Sequence, residues 1–371
     1  MVSEDKVLLI IGNGFDIAAG LKSSFQDFFN QRITTDFVEI MERHSGEFKR
    51  KNRIFRIGTL DSDYTVWDFY FYSKHLNANE VNWCDVEGNI KNGLVSKNRK
   101  NLLYDFIKRK TGYVSEGQSN LPASLLGSLA RAYIFKDEKI FNNEREVYQF
   151  LKEELKKLEE AFIIYLKKQV SENSKYQYNA LRQLRYLAGK KEYHLLSFNY
   201  TNPIEYKSDT VVIEQVHGSL IDNDIIFGID QEQIDIEENI EIYKFSKTYR
   251  KLSQLKKHTE ILNPDITHIK FYGHSLSEMD YSYFQSIFDY YDLYNSNVEL
   301  IFYYSVYDKK KESEIVETQF EAVSKLIDTY GKSMTNINHG KNLMHKLILT
   351  NRLSILPFDV DREEIRQTYG D

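Results

Sequence analysis

Asp16 stands two residues after a Gly12-x-Gly14 turn that stops a five-residue apolar run, Val7 to Ile11. A run of this kind ending in Gly-x-Gly is how a buried parallel strand turns into a helix over a nucleotide. A carboxylate at the start of that helix, however, competes with a phosphate for the same unpaired N–H groups. Something other than a simple phosphate cradle is expected. Asn199, followed by Tyr200 and Thr201, closes the run Tyr193 to Phe198, and His217 with Gly218 closes Val211 to Val216. A third stretch, F-Y-G-H-S-L-S-E-M-D, sets Gly273, His274 and Ser275 behind a strand and places Asp280 where Ser277-x-x-Asp280 opens a helix. Asp85 and Glu87 in N-W-C-D-V-E point apart on a helix and share a face on a strand. As a pair they can bind Mg²⁺ or act as acid and base, or they are simply solvated charges. Taken singly, each of these residues has a plain explanation as turn, cap or surface charge. Their shared place behind successive strands is what joins them.

The elements that must position them follow from hydrophobic pattern. Val7 to Ile11, Tyr193 to Phe198, Val211 to Val216, Thr267 to Tyr272 and Val298 to Tyr304 read as strands, with Ile225 to Ile229 as a short extra one. Between the first and second lie roughly 180 residues of mainly helical or irregular character, too long for a simple crossover. The clearest helix there is Asn143 to Val170, opened by Asn143-x-x-Glu146. Val114 to Ser124 and Ser171 to Lys175 read as loops. The fold class is α/β, a Rossmann-like and mostly parallel sheet with a large helical insertion. Residues 1–30 and 190–371 form the core and 31–189 the insertion, with the strands at Val7, Tyr193, Val211 and Thr267 central. Ligands of open α/β sheets bind at the carboxyl ends of the strands, which is where these residues fall.

Composition narrows the function classes. A 42% hydrophobic and 14% aromatic content in 371 residues suffices for a large core. A net charge of −6 gives no basic footprint, so nucleic acid is the lesser expectation as a partner. The single cysteine, Cys84, excludes a disulfide framework and a cysteine zinc site and suits a reducing cytoplasm. No apolar stretch reaches membrane-spanning length, and M-V-S-E-D-K lacks a signal-peptide layout, so a cytoplasmic location without membrane contact is expected.

G-N-G-F-D-I-A-A-G-L-K-S-S-F-Q-D-F resembles the opening motif of the AbiH family of bacteriophage abortive-infection proteins. N-W-C-D-V-E, F-N-Y-T, V-H-G and F-Y-G-H-S-L-S-E-M-D resemble its later motifs in the same order, from Val7 to Phe288. The order is also similar to that of SIR2-like proteins, whose Rossmann-type domain binds NAD. That resemblance implies a nucleotide partner, with NAD as ligand or substrate and no metal. It implies Gly12, Gly14 and Asp16 around ribose and pyrophosphate, and their neighbours Asn13 and Phe15, with Tyr200 and Thr201, are further candidate cofactor-binding residues. The resemblance places Asn199 and His217 at the reacting ribose and Gly273 and Ser275 on the adenosine side, with His274 between them a further candidate cofactor-binding residue. Asp16 stands where SIR2-like proteins usually carry serine, and there is no Cys-x-x-Cys pair, so a zinc-module deacetylase is not implied.

With NAD as ligand, backbone N–H groups from Gly12 to Phe15 are expected on the phosphates and an ionised Asp16 on ribose hydroxyls. Asn199 would hold a water or hydroxyl and His217 would act as base. Two other classes stay open: a nucleotide-binding sensor without turnover, and a metal-dependent nuclease built on Asp85, Glu87 and Asp280. A homo-oligomer is expected from the long helix and the aromatic content. An enzyme that destroys NAD needs a trigger, either oligomerisation or a phage-derived or second protein. The last 80 or so residues fall outside any recognised motif.

Overall fold

The computed structural model describes residues 5–38, 64–77, 85–94, 141–204, 211–231, 234, 239–254 and 259–359. In chain order its elements begin with β1 (Lys6–Ile11), α1 (Asn13–Ala18), α2 (Phe25–Arg32), α3 (Val66–Asn77) and α4 (Val86–Leu94). Then come α5 (Glu144–Glu172), α6 (Tyr176–Ala188), β2 (Tyr193–Ser197), β3 (Val212–Gln215), α7 (Ile240–Tyr243) and α8 (Lys247–Ser253). The chain closes with β4 (Ile266–Tyr272), α9 (Tyr281–Tyr290), β5 (Glu299–Tyr304), α10 (Glu312–Ser333), α11 (Ile337–Leu349) and β6 (Leu353–Pro357). Two compact units result. One comprises Met1–Ser23, Lys167–Asp224 and Leu255–Asp371; the other comprises Ser24–Leu166 and Ile225–Gln254.

The first unit holds a six-stranded sheet ordered β3-β2-β1-β4-β5-β6, parallel at every pairing. That is the strand order of a doubly wound Rossmann sheet, which reverses direction between β1 and β4. The unbroken apolar run of β1 has a direct cause. Val7, Leu9 and Ile11 face a cluster with Phe15, Tyr176, Ala180 and Leu184, while Leu8 and Ile10 face one with Phe284, Phe288, Leu326 and Leu343. Side chains alternate across a strand, so a strand covered on both faces must be apolar at every position.

The strand at Val211 is a correction to the sequence reading: β3 lies at one edge of the sheet, beside β2 only, and each of its four residues is half-buried. A short apolar run does not report how many neighbours its strand has. Ile225 to Ile229 forms no strand and makes one isolated bridge, Ile229 to Ser246. The opposite edge strand, β6, escapes the pattern because its residues are only partly buried. The long helix is α5, and Asn143 accepts from the Glu146 N–H at 3.1 Å as its capping pattern requires. The break between α5 and α6 falls at Asn173 to Lys175. Asn82 to Cys84, Val114 to Ser124 and Glu205 lie outside the described residues.

Among its described residues the second unit is helical, with an aromatic interior that includes Phe28, Phe29, Trp67, Phe71 and Phe162. The ion pairs among its described residues include three that are largely buried: Arg32 with Asp68, Arg250 with Glu159, and Lys247 with Glu87.

Candidate functional site

Where the sheet reverses, two glycine turns meet backbone to backbone. A Cβ on Gly12 would stand 2.6 Å from His274 Cα, one on Gly14 would stand 2.8 Å from Gly273 Cα, and one on Gly273 would collide with the Phe15 nitrogen. Gly273 also adopts φ +70°, a conformation that side chains disfavour. The glycines are therefore required by this close approach alone. The Gly12 N–H donates to Tyr272 O at 3.1 Å, Gly14 N–H to Gly273 O at 2.7 Å and Phe15 N–H to Gly12 O at 2.9 Å. The Gly12, Gly14 and Phe15 N–H groups are thus engaged within the protein. The sequence showed the glycines but not that the end of β4 and the Gly273 turn behind it would claim their N–H groups.

Asp16 is 1% exposed. Tyr176 donates to its Oδ1 at 2.8 Å and Thr201 to its Oδ2 at 2.5 Å. Burial pushes its pKa up to about 6, against the pull of these two hydroxyls and of the nearby Asn199 amide. Each carboxylate oxygen thus has a protein donor, and Asp16 braces the turn after β2 rather than presenting itself openly to a sugar.

That turn carries Asn199. Its N–H donates to Ser197 Oγ at 3.1 Å, and Gln215 on β3 donates from Nε2 to the carbonyls of Asn199 and Thr201 at 3.2 and 2.9 Å. The backbone is held from two strands, yet the Asn199 side chain, 3% exposed, has neither Nδ2 nor Oδ1 in hydrogen-bonding geometry with any group among the described residues. Phe198 and Tyr200, on either side of it in sequence, both reach the His217 ring, with centroids 5.3 and 6.3 Å away.

His217 follows β3, and Gly218 with φ +85° turns the chain away behind it. Its Nε2 lies 3.2 Å from Asp280 Oδ1, and His274 Nε2 lies 3.3 Å from Asp280 Oδ2. Asp16, Asn199, Thr201, His217, His274 and Asp280 are thereby gathered at the carboxyl ends of β1 to β4, all in one unit. Asn13 sits at the rim, exposed, accepting from Ser23 Oγ at 2.5 Å, and Ser275 is exposed. Asp85 and Glu87 belong to the other unit. Asp85 caps α4, accepting from the Gly88 N–H at 2.8 Å, and Glu87 pairs with buried Lys247 at 2.8 Å.

Tyr176, Gln215 and Tyr283, whose ring lies 6.2 Å from the His217 ring, are site residues that sequence reading missed. Tyr176 is 160 positions from Asp16 on an ordinary amphipathic helix, and no local signal marks it. No helix among the described residues is long and apolar enough to cross a membrane. A family model for bacteriophage abortive infection AbiH matches residues 8–304. No curated protein and no solved structure matches the chain.

Proposed function

Since the chain belongs to the AbiH family of bacteriophage abortive-infection proteins, we propose that it serves anti-phage defence by hydrolysing the N-glycosidic bond of NAD to nicotinamide and ADP-ribose. The observation that carries this reading is the Asn199 amide, buried beside the Asp16 carboxylate with neither polar atom aligned in a hydrogen bond among the described residues. Leaving such groups unpaired costs about 1–3 kcal/mol each, and a ligand offering a donor and an acceptor removes that cost. A ribose hydroxyl, or the attacking water, is such a group. The motif order shared with SIR2-like proteins supports NAD as its source.

In this mechanism the bond from ribose C1′ to the pyridinium nitrogen breaks with its electron pair moving to nitrogen. Nicotinamide leaves neutral and needs no general acid. Positive charge builds on the ribose, where a carboxylate in a water-poor site is worth most in the transition state. Asp16 supplies that field from behind Thr201, ionised at neutral pH because its pKa is about 6. Water held by Asn199 adds to C1′ and passes its proton to His217, a step worth about 10²- to 10⁴-fold.

The test is to express wild type, Asn199→Ala and His217→Ala in bacteria under phage challenge and follow NAD, nicotinamide and ADP-ribose. Infected cells supply whatever trigger the chain requires. Wild type should deplete NAD on infection and each variant should lose about two orders of magnitude in turnover. Protection with NAD unchanged would sink this reading, and a nucleotide recovered intact from the protein would favour a sensor. The nuclease reading is weakened because Asp85 and Glu87 are engaged in a cap and an ion pair.

A further inference from the structure

Asp280 occupies the N-cap position of α9, where a carboxylate ordinarily accepts from the first helical N–H groups. Here it makes no capping hydrogen bond. Its two oxygens instead lie against the Nε2 atoms of His217 and His274, 3.2 and 3.3 Å away, with all three side chains at most 9% exposed. The proton of His274 is placed independently of Asp280. Its Nδ1 accepts the Leu276 N–H at 2.9 Å, so the neutral ring carries hydrogen on Nε2 and directs it at the carboxylate. Phe198 stands edge-on to both imidazoles, with centroids 5.3 and 4.4 Å away, and restricts the turning of either ring.

We infer that Asp280 is a positioning residue that sets the tautomer of His217: it draws Nε2–H toward itself, so that Nδ1 is the nitrogen that takes the proton, while His274 holds the carboxylate in place. This rests on His217 as the base in NAD cleavage. An ionised carboxylate only accepts, so a neutral His217 gains from the contact only with its proton on Nε2. The 3.2 Å approach is not aligned as a hydrogen bond, and such contacts commonly tighten when substrate binds. The turn Glu278–Asp280 that leads into α9 is capped by Ser277, which leaves the Asp280 carboxylate to the two buried imidazoles.

The experiment is nitrogen-15 NMR of histidine-labelled protein, with signals assigned by His217→Gln and His274→Gln. In wild type both rings should be Nε2–H tautomers. In Asp280→Asn, His217 should lose that bias while His274 keeps it, because the Leu276 N–H still pins its Nδ1. In parallel, Asp280→Asn should lower kcat for NAD about 10²-fold with KM little changed. Nδ1–H at His217 in wild type, or an unshifted His217 in folded Asp280→Asn, overturns the inference and leaves NAD cleavage standing. If Asp280→Asn fails to fold, the wild-type tautomer of His217 decides alone. Infected cells that retain their NAD overturn the underlying reading instead, and with it the catalytic role of Asp280.

Discussion

In the helical unit Arg32 forks onto buried Asp68 with contacts of 2.5 and 2.8 Å, and Arg250 meets Glu159 in the same two-pronged way. In the sheet unit Asp16 is as deeply buried, but it is met by the hydroxyls of Tyr176 and Thr201 and the nearby Asn199 amide, and no cation among the described residues pairs with it. Burial raises the Glu159 pKa and Arg250 opposes it, whereas at Asp16 only neutral donors oppose burial, and its pKa stands near 6. Both arrangements take charge out of water. One supplies the opposite charge from within and acts as architecture; the other leaves the field under-compensated beside an amide with no aligned hydrogen bond, which is the condition expected where a cationic transition state supplies the missing charge.

The comparison is broken most severely by removing a partner from the architectural pairs. Arg250→Ala should cost about 3–5 kcal/mol of stability in urea unfolding, because Glu159 is left buried and uncompensated. A loss under about 1 kcal/mol would show that the pair is not architecture. Asn199→Ala should do the opposite: turnover falls about 10²-fold, equivalent to about 2.7 kcal/mol, while stability holds or rises because a buried amide with no aligned hydrogen bond has gone. A destabilised but active variant would make Asn199 structural.

Asp16→Asn sharpens the electrostatic half of the contrast. Folding raises the Asp16 pKa from 3.8 to about 6, so the folded state binds this proton more readily than the unfolded chain. The stabilisation is full below pH 3.8 and fades as pH rises through 6. Relative to Asp16→Asn, wild type should lose about 2 kcal/mol between roughly pH 4.5 and 7.5, read from unfolding curves at the two pH values. A pH-independent difference would mean that Asp16 is not desolvated. The smallest effect is expected at Asp85→Ala, about 1 kcal/mol from the lost cap of α4, with NAD depletion unchanged. A loss of NAD depletion there would return weight to a second catalytic centre.

Five of the six strands were legible because each, apart from the edge strand β3, is apolar enough to stand out from its surroundings, and each ends in turn chemistry such as Gly12, Asn199 or Gly273. The run at Ile225 to Ile229 carried the same apolar signal without pairing into the sheet, because burial among helices yields the same composition as burial in a strand. At the site, Asn199, His217, His274 and Asp280 could be proposed from their places behind strands. Their distances, and the direction in which each side chain turns, could not.

By itself the sequence determined the α/β class, the strands that carry the site and the residues gathered at their carboxyl ends, because period and turn chemistry are local properties of the chain. Only the tertiary structure decided what those residues do for one another. It turned the Gly12 and Gly14 N–H groups toward the end of β4 and the Gly273 turn, gave Asp16 the hydroxyls of Tyr176 and Thr201, and set Asp280 between two histidines that lie 57 positions apart. Hydrogen-bond partners are assigned by proximity in space, and a buried donor or acceptor takes whatever the fold brings within about 3 Å of it.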